Sequence, residues 1–224
     1  MQKNQKAIKK LVGIATLTAL VVGLQFLSNY VSFGSISITL ALIPIAMGAI
    51  LYGPLAGLFL GAVMGAIVIA APSTQAFFMP VNPAATIILC LLKTAIAGLV
   101  SGLLFKLFAF IAKKQNDVKK KKILFAAGVI VAALVVPVIN TGLFILGASI
   151  FFMDLYGKFI TIIDAVITTN FLVEFLVSAI LSPALVTLIK VLTRQYDLGF
   201  ANDFSEFIEE DNDEIDLESI SINA

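Results

Sequence analysis

The sequence predicts an all-α integral membrane protein: one bundle of six transmembrane helices, both termini cytoplasmic, followed by a disordered acidic tail. Three observations predict it. Six long apolar stretches fill residues 11–192, and nearly every lysine outside them falls where one side of a membrane would put it. The composition, 60% hydrophobic and 13% charged with mean hydropathy +1.05, lies outside the range of a soluble core. Each stretch approaches or exceeds the ~20 apolar residues that a tilted helix needs to cross ~30 Å of hydrocarbon. The transmembrane domain is expected to cover residues 1–198 and the tail 199–224.

The first span, 11–31, follows Lys3, Lys6, Lys9 and Lys10. It reads as a retained helix, because it is long for a signal peptide and Ser28-Asn29-Tyr30 offers no small-x-small cleavage pattern. The second, 36–51, turns through Tyr52-Gly53-Pro54 directly into the third, 55–71. An uncharged loop with three prolines, 72–83, leads to the fourth span, 84–112. The fifth covers 123–152 and the sixth 159–192.

Lysine and arginine set the orientation, since short basic loops stay cytoplasmic. Segment 113–122 holds six lysines, and with the N-terminal four and the pair Lys190 and Arg194 it falls on one side of a six-helix arrangement. The opposite loops carry only Asp154 and Lys158. Nine of the 14 acidic residues lie between Asp203 and Glu218, a stretch with too much like charge to collapse.

Small residues recur at helical spacing. Gly53, Gly57, Gly61 and Gly65 share one face of the third span, and Gly98 and Gly102 one face of the fourth, where they are expected to let helices approach within the bundle. Ala15, Ala19 and Gly23 form a similar row on a terminal helix with a face to spare, which suits a partner protein.

Polar groups inside apolar spans are costly in lipid, so each marks a candidate site. Lys93 lies ten residues past Pro83, about 15 Å into the fourth span, and Thr86 shares its face. Asn140 follows Pro137 in the fifth span; Asn170 and Glu174 are four apart in the sixth, with Asp164 nearer the outer end. Lys93 and Glu174 sit at comparable depth, and either neutralise each other or leave the amine to a carboxylate on a ligand. With Gln75 and Asn82 of the uncharged loop, the candidate substrate-binding set is Gln75, Asn82, Thr86, Lys93, Asn140, Asn170 and Glu174. There is no histidine, one cysteine (Cys90), no phosphate-binding GxxxxGK[ST] loop and no hydrolase motif. No catalytic residue, metal or cofactor is therefore expected, and any ATP hydrolysis falls to another subunit.

Four segments carry a family resemblance: Ala15-Thr16-Leu17-Thr18-Ala19, the passage 43–57 around Tyr52-Gly53-Pro54, Lys93-Thr94-Ala95-Ile96-Ala97-Gly98 with Gly102, and Asn170-Phe171-Leu172-Val173-Glu174 with Ser182-Pro183-Ala184. Over about residues 8–195 the chain resembles the substrate-binding component of an energy-coupling factor vitamin transporter, most nearly the pantothenate-type subunits. The resemblance implies one vitamin bound near the outer surface. It also implies docking through Ala15, Ala19 and Gly23 on a transmembrane coupling protein, and transport driven by two ATPase subunits. Folate, riboflavin or another vitamin is the alternative within the family. A self-contained transporter or channel using Lys93, Glu174 and Asp164, or a purely structural membrane subunit, is the alternative outside it.

Overall fold

A computed structural model describes residues 2–30, 32–33, 36–37 and 39–196, with the side chains of residues 5, 7–29, 39–152 and 168–193. The expected tail at 199–224 and the side chains of Asp154, Lys158 and Asp164 lie outside the described residues.

Among the described residues six α-helices follow in order: α1 (Gln2–Tyr30), α2 (Leu42–Tyr52), α3 (Pro54–Ile69), α4 (Pro83–Lys113), α5 (Val118–Phe151) and α6 (Met153–Tyr196). Two short strands, β1 (Ser32–Phe33) and β2 (Ile36–Ser37), pair antiparallel between α1 and α2, with Ser32 opposite Ser37 and Phe33 opposite Ile36. This corrects the expected second span: residues 36–37 belong to the strand pair, and the helix begins only at Leu42. The sixth helix likewise begins at Met153 rather than 159, so Phe152 alone interrupts the helices on either side.

Among the described residues, four helical runs are long and apolar enough to cross a membrane: Ala7–Asn29, Pro83–Lys113, Val118–Phe151 and Thr168–Thr193. α2 and α3, with 11 and 16 residues, are shorter. At 1.5 Å per residue they reach only about 16 and 24 Å. Large apolar side chains such as Leu11, Phe26, Leu55, Leu92, Phe110, Ile123, Ile150 and Ile180 are exposed around the bundle. So extensive an apolar surface has no place in water and matches a lipid surround.

The break between α2 and α3 is made by two residues. Gly53 adopts φ 97°, a conformation that costs L side chains but not glycine, and Pro54 begins α3 where its missing N–H is no loss. The glycine row then faces α4 at backbone distance. A methyl group on Gly57 would strike the Gly98 carbonyl, one on Gly61 the Thr94 carbonyl, and one on Gly65 the Cys90 carbonyl. Gly102 of α4 lies as close to Pro54. The small residues thus set the α3–α4 separation, as their spacing predicts. Gly61→Val should destabilise the folded bundle by roughly 2–3 kcal/mol through overpacking of this seam, measured by thermal or detergent-induced unfolding; an unchanged midpoint would show that the helices can part without cost.

α4 and α5 are joined by a buried bond in which the Ser101 hydroxyl donates to the Ala132 carbonyl at 2.7 Å, and by the edge-on rings of Phe105 and Phe125, 6.1 Å apart. Val21, Ile45, Leu60, Ala97, Val129, Val136 and Ile189 complete a core fed by every helix. Ala15, Ala19 and Gly23 face away from it, and nothing lies within 4 Å of where a Gly23 side chain would begin.

Candidate functional site

A cavity of about 210 Å³ with mixed polar and apolar walls opens between α1, α3, α4, α5 and α6. α4 contributes Thr86, Leu89, Cys90 and Lys93, the i, i+3, i+4, i+7 positions of one helical face. That helix starts where it does because Asn82 caps it: the Asn82 side chain accepts from the Ala85 N–H at 3.1 Å, and Pro83 follows at the first helical position. The Thr86 hydroxyl donates to the Asn82 carbonyl at 2.8 Å. The Lys93 ammonium stands 4.6 Å from the centre of the Phe144 ring, a cation–π arrangement in a half-buried position.

α5 supplies Asn140, Thr141 and Phe144 one to two turns beyond Pro137, and α6 supplies Asn170 and Glu174 from one face. Glu174 is buried, and the groups acting on its carboxyl are Thr39 and Lys93. The described residues include no direct ion pair between Lys93 and Glu174, so opposite charges share the cavity without closing on each other. Phe78, carried by the π-helical turn Thr74–Phe78, packs edge-on against Phe144 (5.5 Å) and Phe152 (5.3 Å) and gives the cavity an aromatic wall.

Five of the sequence-predicted residues therefore come together: Thr86, Lys93, Asn140, Asn170 and Glu174. Two do not. Gln75 is exposed and donates back to the Ile69 carbonyl at 2.7 Å, and Asn82 is occupied as the α4 cap. Both are amides of the uncharged loop, and in the structure each bonds to local backbone.

Sequence reasoning missed the contribution of α1. Gln25 and Asn29 line the cavity one turn apart, the Gln25 Nε2 donating to Asn29 Oδ1 at 3.0 Å. Among the described residues three buried side-chain oxygens have no hydrogen-bond partner: Gln25 Oε1 and Asn140 Oδ1, on residues that line the cavity, and Thr193 Oγ1, on one that does not. An unpaired buried acceptor costs about 1–3 kcal/mol, a cost that a donor on a bound water or solute would relieve.

Among the described residues the apolar bundle thus holds a small chamber with charged and amide side chains in its wall. The family model described as ECF transporter, substrate-specific component, matches residues 9–189. The chain belongs to this family. No curated protein and no solved structure matches it. Substrate-specific components are the capture subunits of ECF transporters, multi-pass membrane proteins that associate with a membrane coupling protein and ATPase modules and are themselves not enzymes.

Proposed function

We propose that this substrate-specific component captures a water-soluble vitamin, pantothenate in first place, from outside the cell, and delivers it inward together with a transmembrane coupling protein and two ATPase subunits. The observation that carries the reading is Lys93, an ammonium in a small chamber among described residues that offer it an aromatic ring rather than a carboxylate at contact. Pantothenate has the matching parts: a carboxylate for Lys93, hydroxyl and amide donors for acceptors in the wall that holds Asn140, Asn170 and Glu174, and a dimethyl carbon for the Phe78–Phe152 wall. Thr86, on the same face of α4 as Lys93, adds a polar residue to the wall. The chamber is smaller than the roughly 300–1,000 Å³ usual for drug-sized ligands, which favours so compact an acid over folate.

The direction of capture follows from charge. Lys93 lies 20 residues, about 30 Å along α4, from Lys113 and the basic segment after it, and basic loops stay cytoplasmic. The cavity therefore belongs to the outer half of a bundle crossed six times with both termini inside. α2 and α3 are short for spanning, but α2 is almost wholly buried by protein, so it need not match the lipid thickness by itself. Ala15, Ala19 and Gly23 form the coupling-protein face.

The test is a binding panel on the purified full-length chain with pantothenate, folate, riboflavin, thiamine and biotin. One of them, pantothenate first, should bind with Kd in the roughly nanomolar to micromolar range open to a buried small-ligand site. Absence of sub-micromolar binding to every vitamin tested would remove the reading.

A further inference from the structure

We infer that Gln25 on α1 is a specificity-determining residue, an acceptor that reads a hydroxyl or amide N–H on the captured ligand. The inference rests on the vitamin-capture reading above and deepens it by one residue of the same cavity, on a helix that reading leaves out of the binding set.

Three features of α1 support it. Leu17, Val21 and Gln25 succeed each other at four-residue spacing on the buried side of the helix, so Gln25 is held where the bundle places its backbone. Its side chain is 4% exposed and lines the cavity. Its amide nitrogen is already committed to Asn29 Oδ1, and its buried oxygen has no hydrogen-bond partner among the described residues. A glutamine whose only task was to tie α1 to its neighbours would have both ends of the amide engaged, because the bonds are its contribution to packing.

Asn140 on α5, another residue of the cavity lining, is 6% exposed, and its Oδ1 has no partner among the described residues. Two acceptors on separate helices and one ammonium on a third define three points. A ligand that satisfies all of them presents a carboxylate to Lys93 and an O–H or N–H to each amide oxygen. A site of this kind rejects analogues lacking a donor far more strongly than it distinguishes apolar groups, since the buried oxygen is then stranded.

The experiment titrates the full-length chain in lipid nanodiscs with pantothenate and with three analogues, two having one hydroxyl replaced by hydrogen and one methylated on the amide nitrogen. On the wild type, at least one replacement should weaken binding by about 10- to 100-fold. Gln25→Met should weaken pantothenate by a similar factor, and on this variant the sensitive analogue should lose less than about threefold further, the signature of two changes that remove one bond. Variant and analogue losses that multiply for every donor, or a Gln25→Met affinity within about threefold of wild type, would overturn the assignment. Should Gln25→Met fail to fold, the wild-type series decides alone: equal affinity for all four compounds overturns it. A wild type that binds no member of the vitamin panel removes the capture reading itself, and that outcome appears before any variant is measured.

Discussion

Replacing Lys93 with methionine is expected to weaken vitamin binding by about 100-fold or more while the bundle stays folded. Truncating one partner of a desolvated charge pair costs roughly 2–5 kcal/mol, much of it the penalty of leaving the other charge buried alone. Methionine keeps the length of the stem and a favourable sulfur contact with the Phe144 ring, so the packing at 4.6 Å from that ring is largely preserved. The same change should erase the preference for pantothenate over its neutral alcohol, pantothenol, because only the carboxylate calls on the ammonium. If Lys93 instead serves to neutralise Glu174, Lys93→Met will lower the unfolding midpoint sharply and Glu174→Gln will restore it. Titration calorimetry and thermal unfolding of Lys93→Met and of the double variant separate the two.

The second large effect is on transport. Ala15→Trp with Ala19→Trp should leave vitamin affinity within about threefold of wild type, neither residue lining the cavity, yet abolish uptake by the assembled transporter. Both alanines are exposed on α1, on the side away from Leu17, Val21 and Gln25, and Gly23 continues the smooth row with open space before it. Indole rings there meet nothing in the bundle, but they block the close helix approach that small residues permit. Uptake that survives the double change places the docking surface elsewhere.

Much of this was legible in the residues. A lysine, a glutamate and two asparagines inside apolar helices are conspicuous because lipid would reject them, and the structure gathers Lys93, Asn140, Asn170 and Glu174 into one chamber. The four-residue glycine period of α3 was equally plain, since only a backbone contact needs it. Gln25 and Asn29 escaped because they sit near the end of α1, where polar residues are expected at an interface; their signal was the spacing of four from each other and from Val21, opposite the alanine row. The aromatic wall could not be chosen from 18 phenylalanines, as partners such as Phe78, Phe144 and Phe152 are set by tertiary packing. The false start of α2 has a similar cause. Ser35-Ile36-Ser37-Ile38-Thr39 alternates polar and apolar residues, a strand period that an apolar count over the whole stretch conceals.

Reconstituted liposomes offer the most direct measurement of the central claim, that this chain captures a solute and depends on other subunits to move it. Vesicles containing the chain alone should bind labelled pantothenate without accumulating it, under ion or proton gradients of either sign. Vesicles that also contain the coupling protein, the ATPases and ATP should concentrate it. Accumulation above the external concentration by the chain alone would contradict the account.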